Sequence, residues 1–248
     1  MPRFDLLVAR NSSMSRREVS RMFKTKRIRS LDGEPLRAKD NVPPSELPTQ
    51  VHVDGRPLTL RARYDLLLNK PLGVVTAHQD DRHPTAYALL REAPLFKELR
   101  GVGRLDKETS GLLMWTTDGT LLHRITHPRY AVPRTYHVAL ERPPAPLPEG
   151  LALKDGYVPE ITEYEARDPG SLHPALHRPD EARAFASITI TTGRFHEVRR
   201  IFAALESHVV GLARVSFGPV ELPTDLAAGA YAPYDLKAAF AGMHPRPK

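Results

Sequence analysis

The chain of 248 residues contains no cysteine. Disulfides, thiolate metal sites and cysteine nucleophiles are thereby excluded, and a reducing cytoplasm is the expected setting. Long apolar runs are missing as well, since nothing approaches the roughly 18 residues that a membrane span requires. The opening MPRFDLLVARNSSMSRRE lacks the apolar stretch of a signal peptide, so a cytoplasmic protein away from membranes is expected. No Walker-type loop occurs, and Gly101 with Gly103 lack the rest of a dinucleotide fingerprint. His123 and His127 stand at i, i+4, as on a metal-binding helix, but no third ligand accompanies them and Pro128 follows. Neither a metal nor a cofactor is expected. No internal repeat of solenoid type is visible.

What is present points to a folded, basic protein. Hydrophobic residues make up 41% of the chain, enough for a packed core. The 36 Lys plus Arg outnumber the 29 Asp plus Glu, giving a formal charge of +7. That surplus suits a polyanionic partner, most simply a nucleic acid, although a basic balance by itself can serve solubility alone. The length allows one large domain, or a large one and a small one.

Residues 1–60 read as a small basic α/β domain. Ser15 with Glu18 forms a capping box, Met14 and Val19 can staple it, and Val19, Met22 and Phe23 give one apolar stripe at helical spacing. Around that stripe lie Arg16, Arg17, Arg21, Lys24, Lys26, Arg27 and Arg29. Such a charge run often marks only a solvated face. A cationic face this dense, opposed only by Glu18, would also bind phosphate backbones, each neutralised phosphate releasing a counterion. A strand around Val51 and Val53 and an Asp-Gly turn precede a boundary near residue 60.

Residues 61–248 read as strand-rich with interspersed helices, an α+β domain. YDLLLNK, GVVTA and GLLMWTT look like strands. RTYHVAL and FASITITTG alternate with period two, as half-buried strands do. Leu121, Leu122 and Ile125 suggest a short helix stopped by His127-Pro128. Val198, Ile201, Phe202 and Leu205 mark an amphipathic one. Residues 166–183, with three prolines and no periodicity, read as a surface loop or insertion.

Chemistry should sit in GVGRLDKETSGLLMWTTDG, residues 101–119. Glycines on both sides of Arg104-Leu105-Asp106 allow a tight, exposed loop between apolar runs. A carboxylate beside an arginine on such a loop can act on a polyanion as nucleophile or base; from the tripeptide alone an ordinary loop ion pair is the commoner reading.

GRLDKETSGLLMWTTDG resembles the signature of the RsuA family of ribosomal RNA pseudouridine synthases. LLNKPLGVVTAHQDDRHPT, HRITHPRYAVPRTYHVAL and TTGRFHEVRRIFAALESHVVGLARVSFGP resemble three further motifs of that family, in the same order. The first fifty-odd residues look like its RNA-binding module. The resemblance implies a small RNA-binding domain followed by a mixed, largely antiparallel sheet that carries the reaction. It implies Asp106 as the catalytic aspartate, Tyr136 as the residue stacking on uracil, and Arg199 as the partner of Asp106. Arg104 would hold the flipped-out nucleotide, Val198 and Ile201 would form an apolar wall, and Asn69 and Lys70 would shape the site. Without the resemblance, Tyr136 could be plain core and Arg199 a solvated helix residue.

The resemblance also implies a cofactor-free isomerisation of uridine in ribosomal RNA. DDRHPTAYALLREAP resembles the small-subunit branch, so 16S RNA, or a small-subunit assembly intermediate, is the expected partner of a monomeric enzyme. A synthase acting on 23S RNA, or a non-catalytic RNA-binding assembly factor, are the competing expectations. The chain departs from the family at Glu197, where glutamine is usual, at Ala213, often histidine, and at Glu206, usually glycine.

Overall fold

A computed structural model describes residues 1–246, which fall into two compact units. The first comprises Met1–Tyr64 and Glu92–Leu99, the second Asp65–Arg91 and the chain from Arg100 onward.

In the first unit, helices α1 (Phe4–Arg10) and α2 (Arg16–Lys24) pack beside a three-stranded antiparallel sheet of β1 (Ile28–Arg29), β2 (Thr49–Val53) and β3 (Arg56–Leu60). The capping box at α2 is formed: the Ser15 hydroxyl accepts from the Glu18 N–H while the Glu18 carboxylate accepts from the Ser15 N–H. Met14, Val19, Met22 and Phe23 join the core with Leu7, Val8, Ile28 and Leu60. Asp54 and Gly55, both at positive φ, turn β2 into β3. Arg16, Arg17, Arg21, Lys24, Lys26 and Arg27 are all exposed. Arg27 already holds an ion pair with Asp54. Arg10 grips Glu98 with two hydrogen bonds, 2.8 and 2.7 Å.

The second unit is built on a nine-stranded sheet. Its strands are β4 (Asp65–Lys70), β5 (Arg100–Val102), β6 (Ser110–Thr116), β7 (Arg134–Leu140), β8 (Ile161–Ala166), β9 (Ala184–Ile190), β10 (Val209–Phe217), β11 (Val220–Glu221) and β12 (Tyr231–Pro233). The main order is β12-β4-β6-β10-β7-β9-β8, with β5 paired to β6 and β11 to β10. Every pairing is antiparallel except β6 with β10. Helices α3 (Gly119–Thr126) and α5 (Leu236–Ala239) cover one face through Leu121, Ile125 and Leu236, packed on Leu67, Leu112 and Met114. Asp118 caps α3 by accepting from Thr120 and Leu121. Helix α4 (Glu197–Ala204) buries Val198, Ile201 and Phe202, the stripe that the 3.6 period marks. Among the described residues no helix is long and apolar enough to cross a membrane.

Three expectations are corrected. GVVTA is no strand; only Val75 makes a lone bridge, to Thr85, because this segment wraps the Asp106 loop instead of extending the sheet. Strands β7 and β9 are buried on both faces from their third residue on, not half-buried. Part of that cover is the 166–183 segment, which is not a loose surface loop. Its Leu176 is buried against Ala139 and Ala213, Ala175 accepts a 2.6 Å hydrogen bond from the Ser110 hydroxyl, and the His173 N–H donates to His137 Nδ1 at 2.9 Å. Glu206 adopts φ 57 just past α4, the left-handed cap for which glycine is the usual residue.

The His137–His173 contact carries a prediction. Nδ1 of His137 is already committed as an acceptor, and burial pushes the imidazole down to about 4 from its ordinary 6.5. Between those values the unfolded chain holds a proton that the folded chain refuses, so stability falls as pH drops from 6.5 toward 4. The loss is on the order of 3 kcal/mol. Urea unfolding at several pH values should show this slope, and His137→Asn should flatten it; an undiminished slope in that variant would place the acid sensitivity elsewhere.

Candidate active site

The segment from Arg104 to Glu108 leaves β5 and enters β6 as a loop whose carbonyls are each held by a different neighbour. Arg104 O lies 3.5 Å from Nη1 of Arg214, and Leu105 O accepts from the Thr76 hydroxyl at 2.8 Å. Asp106 O accepts from the Thr109 N–H, Lys107 O from the Gly73 N–H, and Glu108 O from Nη2 of Arg199 at 2.8 Å. The Leu105 N–H returns a bond to Thr76 Oγ1 at 3.1 Å. The backbone under Asp106 is thus fixed, while its carboxylate remains 39% exposed. Nε2 of His196 lies 3.6 Å from that carboxylate, an ion pair whenever the imidazole is protonated.

The carboxylate opens into a cavity of about 420 Å³, a volume that suits a nucleotide-sized ligand. Of the residues expected at the site, Arg104, Asp106, Tyr136, Val198 and Arg199 line this cavity together. Tyr136 comes from β7, whose pleat turns it inward, and Val198 and Arg199 come from the first turn of α4. Arg134, Arg194 and Arg214 add three further guanidinium groups to the wall. Five arginines against Asp106 and Glu197 make the cavity attractive to a polyanion.

Four expected placements are not met. Arg199 does not pair with Asp106: its Nη1 donates to Val209 O at 3.0 Å and its Nη2 to Glu108 O, so both ends of the fork are spent on carbonyls. Ile201 is fully buried behind α4 and does not reach the cavity wall. Asn69 and Lys70 line a different cavity, of about 520 Å³. Asn69 donates to Leu226 O at 2.7 Å, and the Lys70 ammonium donates to Pro71 O and Val74 O at 2.9 and 2.7 Å. Burial pulls that ammonium down to about 8, against the attraction of Asp106.

The rim is a loop from Thr191 to His196, held by a buried carboxylate. Glu197 accepts from Tyr157 Oη at 2.9 Å, from Thr192 Oγ1 at 2.5 Å and from the Arg194 N–H at 2.7 Å. Three donors converge on two oxygens, which suits an acceptor-only side chain. Both hydroxyls can accept as well as donate, so a glutamine with its NH₂ on their side would keep all three contacts, and nothing in the structure explains the acid at position 197. The clamped loop carries Phe195, 76% exposed, with its ring stacked on His196 at 3.8 Å.

Sequence reasoning missed Thr76, His196 and Arg214. Thr76 lies in GVVTA, whose pattern reads as strand, and His196 lies within a family motif that assigns it no role of its own. Arg214 stands in the same motif, but an arginine in an apolar strand is indistinguishable by sequence from one reaching solvent.

The chain matches the family described as RNA pseudouridylate synthase over residues 64–204. It is 37% identical over 239 residues to "Ribosomal small subunit pseudouridine synthase A" of Escherichia coli, covering 93% of this chain and 95% of that one. The protein of the same name from Yersinia pestis is 36% identical, over 93% and 94% of the two chains. "Uncharacterized RNA pseudouridine synthase YtzG" of Bacillus subtilis is 34% identical over 92% and 93%. Among solved structures, one described as "Crystal structure of pseudouridylate synthase" superposes with a TM-score of 0.56 at 27% identity, covering 96% and 98%.

Proposed function

The chain belongs to the RNA pseudouridylate synthase family, and from that membership and the cavity around Asp106 we propose that it isomerises a uridine of 16S ribosomal RNA, at a position-516 type of site. The reaction breaks the bond from ribose carbon 1′ to uracil nitrogen 1 and forms one from carbon 1′ to carbon 5. The proton on carbon 5 is lost and nitrogen 1 gains one, without redox change. Asp106 is the nucleophile or base that acts on the nucleotide while the uracil is detached and turned. Tyr136 stacks on the turning ring. Arg104 meets the flipped-out nucleotide, whose extraction costs a few kcal/mol that cavity contacts must offset. Val198 supplies apolar wall. Arg199 works through the loop: by holding Glu108 O it fixes the backbone two residues beyond Asp106.

One observation carries this reading: a carboxylate on an immobilised loop opens into a nucleotide-sized cavity ringed by arginines. The choice of 16S RNA draws on the relatives of 36% and 37% identity, which bear the small-subunit name along nearly their whole length. A pseudouridine map of ribosomal RNA from cells with and without the gene tests it. Disappearance of one 16S pseudouridine is expected; loss of a 23S pseudouridine instead would overturn the substrate, and an unchanged map the activity.

We assign docking on RNA to residues 1–60, through Arg16, Arg17, Arg21, Lys24 and Lys26, with Arg27 contributing less because Asp54 already holds it. Replacing Arg16, Arg17 and Arg21 with glutamine should weaken RNA binding and reduce the slope of log affinity against log salt by about 2 to 3. An unchanged slope would move the docking surface elsewhere.

A further inference from the structure

Arg214 is 2% exposed and sits in the middle of β10, opposite Tyr136 of β7 in the antiparallel ladder. Its Nε donates to Leu112 O at 2.9 Å, and its Nη1 points at Arg104 O, 3.5 Å away. Among the described residues its Nη2 has no hydrogen-bond partner. The guanidinium carbon lies 5.1 Å from the centre of the Phe217 ring, and that of Arg134 lies 4.7 Å from the same centre. A buried cation with a free donor, sharing one ring with a second, half-buried cation, is a costly arrangement for a core. A leucine would fill the position at less expense, so packing does not account for the arginine. Burial drags its pKa down, and the Tyr136 phenol is the group that pushes it back up, although the two do not meet hydrogen-bond geometry.

We propose that Arg214 is a positioning residue for the isomerisation, a buried strut that fixes the Asp106 loop and the Tyr136 phenol against each other. The inference rests on the roles given above to Asp106 and Tyr136. Through Nη1 it braces the backbone two residues before Asp106, as Arg199 braces it two residues after. Through Nη2 it offers the phenol oxygen a charged donor, and a uracil seated against Tyr136 brings that oxygen into bonding range. The donor is fixed before substrate arrives, which is the condition under which a hydrogen bond contributes most to a reaction barrier. Gly111 makes the approach of strand β10 possible: a Cβ there would stand 2.3 Å from Arg214 O.

The test compares Arg214→Met, Arg214→Lys and Tyr136→Phe in the full-length protein, using total ribosomal RNA carrying tritium on uridine carbon 5, prepared from cells lacking the gene. With enzyme in excess, Arg214→Met should slow tritium release about 100-fold while the RNA dissociation constant stays at the parent value. Arg214→Lys keeps the charge but cannot reach both the loop carbonyl and the phenol, and should recover only part of the rate, remaining about tenfold below the parent. Should the methionine variant fail to fold, the lysine variant decides. Parent-like release by Arg214→Lys, beside an impaired Tyr136→Phe, would overturn the role of Arg214 alone. Parent-like release by Tyr136→Phe would instead strike Tyr136 from the mechanism. Loss of RNA affinity in step with rate would reduce Arg214 to scaffolding.

Discussion

Asp106→Ala should abolish tritium release from carbon-5-labelled uridine in ribosomal RNA, by at least about four orders of magnitude, while RNA binding is kept. The expectation of an effect confined to chemistry follows from how the residue is held. All the bonds that fix the loop are made by main-chain atoms of residues 104–108, which alanine retains. Among the described residues the carboxylate itself has one ion-pair contact, to His196 at 3.6 Å, in a half-exposed setting. Its removal should therefore change unfolding free energy by no more than about 0.5 kcal/mol. Turnover within about 100-fold of the parent would be too much for a chain stripped of its nucleophile, and would refute the assignment.

The largest loss of stability should come from Gly111→Ala. Gly111, the second residue of β6, stands at φ 98, where side chains rarely sit, and an added Cβ would stand 2.3 Å from the oxygen and 3.0 Å from the nitrogen of Arg214. Both are backbone atoms of β10, which is also paired along its length with β7, so neither strand can yield without breaking ladder bonds. A cost on the order of 4 kcal/mol is expected. The second unit should then melt about 10 °C lower. Gly119→Ala is the matched control, since a Cβ there meets nothing and alanine favours the first turn of α3. A Gly111→Ala chain that melts with Gly119→Ala would mean that β6 and β10 part more easily than their geometry allows.

Local rules were legible in the sequence where the signal was local. The capping box at Ser15, the stripe of α4 and the stop at His127-Pro128 depend on neighbours within a few residues, and each appears as read. Burial on both faces of β7 and β9 was not legible, because residues 172–182, which cover Ala139 of β7 from more than thirty positions away, show no periodicity of their own. The motif order brought Asp106, Tyr136 and Arg199 to one cavity. The bond made by Arg199 lay outside that kind of reading: two carbonyls compete with the carboxylate for its fork, and carbonyls leave no mark in a sequence. Ile201 failed for a similar reason. Its place on the stripe is right, but the stripe is wider than the wall, and a residue one turn along α4 faces the core.

The fully tethered loop has a consequence for how targets are chosen. Its conformational entropy is surrendered when the chain folds, so an encounter with RNA requires no closing movement beneath Asp106. The deformation falls on the nucleic acid, where pulling a base out of a paired helix costs a few kcal/mol and out of a bulge or mismatch much less. Discrimination between uridines is then set by the local weakness of the RNA as much as by any contact the enzyme makes.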